Sequence, residues 1–136
     1  MLADRADAAA GSRAAADGGA RIGAGPLGRA KSLAWGALVR RALPSLRGLR
    51  DPNAPLKVLS PAAARTLLAS ARTAGVALHV EWLALLLAAG MRLETFPVVW
   101  RQRAGSRVPW ELAPESLSEL ARIRGRAAAA RRGSDA

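Results

Sequence analysis

The sequence predicts an α/β fold, with helices around two or three short strands. Helical apolar spacing recurs in separate blocks, and short runs of extended, apolar character lie between them. The order that results is helix, strand, helix, helix, strand, helix, which belongs to the α/β class. At 136 residues one domain is expected.

The elements follow in turn. Residues 1–26 are rich in Ala, Gly, Asp and Arg, show no periodic apolar face, and are expected to be a loop-like, partly disordered start. From Leu27 to Leu43 the positions Trp35, Leu38, Val39, Ala42 and Leu43 share one helical face, with Arg29, Arg40 and Arg41 away from it. Pro44 ends that basic amphipathic helix. The stretch 47–55 is broken by Gly48, Pro52 and Pro55 and is a connection. Leu56–Leu59 is a short strand. Ser60 before Pro61 is a hydroxyl cap followed by proline in the first turn, so a helix starts there, and it is expected to stop at Gly75. His79–Ala89 is a second apolar helix with Gly90 as its stop. Arg92–Trp100 reads as a strand whose Pro97 demands an edge or a bulge. A basic turn follows around Gly105, and a last helix spans about 114–124, with Ser116 and Glu119 at capping-box spacing. Residues 126–136 are expected to be a disordered tail. Two predicted strands are few for an independent sheet, so further strands are expected from elsewhere.

Composition narrows the chemistry. With no cysteine, disulfides, thiolate metal sites and cysteine nucleophiles are excluded, and with His79 alone a multi-histidine metal site is excluded too. The start of the chain carries Asp4, Asp7 and Asp17 and has no apolar centre, unlike a signal peptide. Trp82–Gly90, the longest strongly apolar run, is far below the roughly 20 residues of a membrane span. A cytoplasmic protein, peripheral at the cytoplasmic face of the membrane, is therefore expected. The formal charge is +11, and residues 21–50 hold seven bases and no acid. A one-signed block beside apolar residues points to a polyanion, either an anionic membrane surface or nucleic acid. The five aromatic residues are not interleaved with the bases as stacking platforms would be, and nucleic acid ranks behind the membrane for that reason.

One ordered set of short motifs goes further. Gly11-Ser12-Arg13, Arg29 with Ser32, Asp51 to Lys57 (DPNAPLK), Val80-Glu81, Gly90, Pro97-Val98-Val99-Trp100 and Gly105-Ser106-Arg107 follow one another along the chain. Together they resemble the second half of the GT-A (family 2) glycosyltransferases that make dolichyl- or polyprenyl-phosphate sugars, nearest to the dolichyl-phosphate glucosyltransferase-like branch. Pro55 stands where that pattern has glycine, and His79 where it has aspartate.

The resemblance implies an incomplete GT-A-type layer, with residues 27–125 as the acceptor-side half and no counterpart here of the strands and Asp-x-Asp motif that hold the sugar nucleotide and its Mg or Mn ion. It implies no cofactor or metal site in this chain. It casts Arg13, Arg29, Ser32, Arg103, Ser106 and Arg107 as substrate-binding, chiefly towards phosphate. Asp51 becomes the catalytic candidate, lining the acceptor side, and Lys57 and Glu81 become loop anchors. Polyprenyl phosphate is the implied acceptor, and a separately encoded nucleotide-binding half would be a further partner. Alone, such a chain is expected to be catalytically silent. The competing expectation is a small basic protein that binds nucleic acid or a membrane surface without catalysis.

Overall fold

The computed structural model describes residues 6–23, 25–102 and 113–134. They form an α/β arrangement in the order β1 (Ala8–Ser12), β2 (Ala20–Ile22), α1 (Pro26–Ala42), β3 (Lys57–Leu59), α2 (Pro61–Ser70), α3 (Leu78–Ala88), β4 (Leu93–Pro97), β5 (Val99–Arg101) and α4 (Ala113–Ser134). One sheet has the order β3-β1-β4, and β2 with β5 makes a second, two-stranded one. The central strand β1 runs antiparallel to β3, with Ala9 opposite Val58, and parallel to β4, with Gly11 opposite Phe96.

β1 lies in the stretch expected to be loop, and it is the element that organises the sheet. Its sequence, Ala-Ala-Ala-Gly-Ser, has little intrinsic preference for a strand. Small side chains are what the position requires. All five residues are buried, with Ala8 packed among Ala63, Leu67, Leu85 and Leu86, and Ala10 among Val39, Val80, Leu83 and Ala84. On the opposite face a Cβ on Gly11 would stand 2.7 Å from Val98 Cγ1 and 3.3 Å from Leu56 Cβ. Tertiary contact, not propensity, makes this strand. With β2 also inside residues 1–26, the described residues hold five strands where two or three were expected.

The helices pack on one side of β1. α3 is apolar almost all round, as a helix enclosed by the core must be, and buries Val80, Leu83, Ala84, Leu85, Leu86 and Ala88. It stops at Gly90, which adopts φ 71° so that Gly90 N–H reaches Leu87 O and Met91 N–H reaches Leu86 O. α2 starts behind Ser60, whose Oγ accepts from Ala63 N–H at 3.2 Å. It ends at Ser70, short of Gly75. The amides of Arg72 and Thr73 donate instead to the carboxylate of Glu81, at 3.1 and 2.8 Å. Those donors are lost to a further helical turn.

The expected strand 92–100 is two strands. Val98 marks the break: its N–H donates to Ser12 O and its C=O accepts from Ala20 N–H. Pro97 therefore closes β4 on a sheet edge, where its missing donor costs nothing, and the chain passes to the second sheet. The tail differs as well, because α4 continues to Ser134. Alanine-rich sequence favours the extension, Ala127 and Ala130 pack on the two core clusters, and Arg126 donates to the fully buried Glu81 at 2.6 Å.

Because Val98 is β-branched and stiff, Gly11→Ala is expected to lower stability by about 1–3 kcal/mol. Urea denaturation measures it, and Val98→Ala in the same chain is expected to restore part of the loss.

Candidate anion-binding site

The carboxyl ends of the parallel strands β1 and β4 lie side by side, the place where open α/β sheets commonly hold ligands. Arg13 leaves the end of β1 there. Its backbone N–H and its Nε donate to Asp51 Oδ2 at 3.0 and 2.7 Å, and its Nη2 donates to Asp51 Oδ1 at 2.8 Å. The same Nη2 reaches Asn53 O at 3.2 Å. This is a two-pronged guanidinium–carboxylate pair with one backbone donor added. The ring of Trp100 lies over the guanidinium, 5.9 Å from Cζ to centroid. Asp51 is itself held in a tight turn closed by Ala54 N–H on Asp51 O, with Ala54 buried beneath it.

Further polar groups gather on this pair. Arg21, on β2, places Nη2 3.6 Å from Asp51 Oδ1 and donates through Nη1 to Ser32 Oγ on α1. Lys57, on β3, donates to Ala54 O, and its Nζ lies 3.3 Å from His79 Nδ1. Ser12 Oγ donates to Asp17, whose other oxygen meets Arg50 Nε at 3.4 Å. Asn53 Oδ1 is buried with no hydrogen-bond donor among the described residues.

The electrostatics follow from burial. Burial would raise the Asp51 carboxyl, but the hydrogen bonds and charge of Arg13, joined by the charge of Arg21, outweigh it and hold it below the usual range. Burial, then repulsion from Arg13, lowers the Arg21 guanidinium against the pull of Asp51. Lys57 is brought down to about 8 by burial and by Arg13, with Asp51 acting the other way. Burial, then Lys57 and Arg13, lowers His79, which leaves its ring neutral at pH 7 with Nδ1 free to accept from the ammonium. Three cations, Arg13, Arg21 and Lys57, thus surround one carboxylate, and the surplus is positive.

Such a cluster can bind an anion. Asp51 has its oxygens committed to guanidinium groups and its basicity lowered, an arrangement that fixes Arg13 in place. A divalent cation does not fit these residues: Asp51 and Asp17 already neutralise arginines, and no group of three His, Cys, Asp or Glu side chains comes together among the described residues.

Of the residues singled out in the sequence, Arg13, Ser32, Asp51 and Lys57 meet in this cluster. Arg29 lines a different hollow, with Pro26, Ala30 and Leu33. Arg103, Ser106 and Arg107 lie outside the described residues. Glu81 sits apart in the core, where it binds the loop amides of Arg72 and Thr73 together with Arg126. Arg21 and Asn53 were not singled out. Arg21 counts only as one more base until β2 is known to be a strand that pairs with β5 and brings it to Asp51. No family model, no curated protein and no solved structure matches the chain.

Sulfate, whose charge is constant across neutral pH, is the direct probe. Its affinity is expected to fall as pH rises through about 8, where Lys57 loses its proton. Lys57→Arg is expected to retain binding above that pH, since a guanidinium stays charged; isothermal titration at pH 7 and 9.5 checks both. The folding linkage has the opposite sign. Folding lowers the Lys57 pKa, so the unfolded chain binds more protons between about 8 and the ordinary lysine value near 10.4, and this group makes stability rise with pH in that window.

Proposed function

We propose that this chain is the acceptor-side half of a glycosyltransferase of the GT-A type, acting on a polyprenyl phosphate at a membrane surface. The observation that carries the proposal is the placing of Arg13 by Asp51 at the carboxyl end of β1, with Arg21, Ser32 and Lys57 converging on it. Those are groups suited to a phosphate head, which guanidinium pairs grip without ever deprotonating.

The sheet supports the same reading. β3 has no strand on its outer side among the described residues, and Leu56 and Val58 beside that edge are 49% and 43% exposed. An apolar sheet edge of this kind suits pairing with further strands, as a nucleotide-binding half would supply. No helix among the described residues is long and apolar enough to cross a membrane, which leaves peripheral attachment as the mode proposed.

In transfer to a phosphate acceptor, a phosphate oxygen attacks the anomeric carbon and the nucleoside diphosphate departs with the bonding pair, inverting that carbon. The acceptor is already ionised near pH 7, so no strong general base is needed, in keeping with an Asp51 held low. The residues of this chain would hold and orient the phosphate and offset its charge. A divalent ion, as the family resemblance implies, would belong with the sugar nucleotide on the other half.

A soluble short-chain prenyl phosphate and the matching prenol separate this proposal from its alternatives. The phosphate is expected to bind and the alcohol not, with Arg21→Gln weakening the phosphate roughly tenfold, the size of one charge-assisted hydrogen bond. Equal binding of phosphate and alcohol, or an unchanged affinity in Arg21→Gln, overturns it. Given a sugar nucleotide as well, the chain alone is expected to transfer nothing.

A further inference from the structure

A second basic site lies away from the Arg13 cluster. The end of α1 and the turn that follows it face the later part of α4 across a groove of about 360 Å³. Its apolar lining comes from Leu43, Pro44, Ala127 and Ala128, and its charged lining from Arg124, Arg131 and Arg132. Those arginines are seven and eight positions apart, so one helical face carries all three. Among the described residues no Asp or Glu lines the groove, and none occurs in the sequence from Leu120 to Gly133. Arg41 and Arg47, on either side of the α1 end, are exposed and add to the same sign.

We propose that this groove is a docking site for the phosphate headgroups of an anionic phospholipid surface. Guanidinium groups match phosphate oxygens in shape and in charge. The apolar floor suits the glycerol and upper acyl region beneath a headgroup, while arginine stems can lie along it with their heads in the polar layer. Nucleic acid would also meet the charge, but single strands are held by stacked aromatic rings and no aromatic side chain among the described residues lines this groove. The site binds in the plane of the membrane and takes no part in sugar transfer, so it stands or falls independently of the function proposed above.

The test is cosedimentation of the whole chain with phosphatidylcholine vesicles, with and without phosphatidylglycerol. Binding is expected only with the anionic lipid. An arginine at such a surface is worth about fivefold, so replacing Arg124, Arg131 and Arg132 together by Gln is expected to cost roughly a hundredfold. The control removes the same charge elsewhere, at the exposed Arg65, Arg72 and Arg92. Its expected loss is much smaller. Ala128→Glu, one carboxylate on the floor, is the milder second variant and is expected to weaken vesicle binding at unchanged helix content by circular dichroism.

Equal losses in the two triple variants overturn the proposal, since they would mean that net charge alone governs binding. Undiminished binding in Ala128→Glu does the same. A duplex or single-stranded nucleic acid that displaces the chain from anionic vesicles through Arg124, Arg131 and Arg132 overturns the lipid assignment in favour of the other polyanion.

Discussion

The bidentate pair of Arg13 and Asp51 is the constraint on which the candidate site depends. It joins the end of the central strand to a turn 38 residues further along the chain. Both side chains are largely enclosed, at 12% and 3% exposure, so each ion has lost much of its hydration. A pair in that state is stable only when its hydrogen bonds are nearly complete. Here they are: the carboxylate takes Nε, Nη2 and the Arg13 amide, and Asn53 O takes Nη2 a second time. Such completeness fixes the guanidinium plane under Trp100 and sets the point around which Arg21 and Lys57 are arranged. The consequence is a candidate anion site whose cations are held in place by contacts within the protein.

A second charged hub does comparable work for the scaffold. Glu81 is fully buried in the first turn of α3, yet it holds the amides of Arg72 and Thr73 and the guanidinium of Arg126. Thr73 Oγ1 donates onward to Glu119 and accepts from Arg126. One carboxylate thereby sets where α2 stops, how the following loop lies on α3, and where α4 docks. The two hubs differ in consequence. Around Glu81 every charge is answered within the network, whereas around Asp51 the cations outnumber the carboxylate.

Much of the helical framework was legible in the sequence because its signals are local. Ser60 and Pro61 mark the start of α2, and Gly90 marks the end of α3, through backbone requirements that need no distant partner. The sheet was not legible in the same way. Ala8–Ser12 carries no strand pattern, because its identity comes from partners at 57–59 and 93–97 that leave room only for small side chains. The last turns of α4 were missed for a related reason: Arg126 reaches Glu81 across 45 positions, which no periodicity reveals. In the site, Arg13, Ser32, Asp51 and Lys57 could be named from motif order alone. Arg21 could not, since it enters only once β2 is seen to pair with β5.

The measurement that bears most directly on the anion site is sulfate affinity in Asp51→Asn, compared with the unaltered chain by isothermal titration, with circular dichroism confirming the fold. The substitution keeps the shape of the side chain while removing a negative charge from the cluster. If the site were no more than a concentration of positive charge, affinity would rise. With Asp51 as the holder of Arg13, affinity is expected to fall despite the added net charge. Equal or tighter binding would contradict the role assigned to the pair.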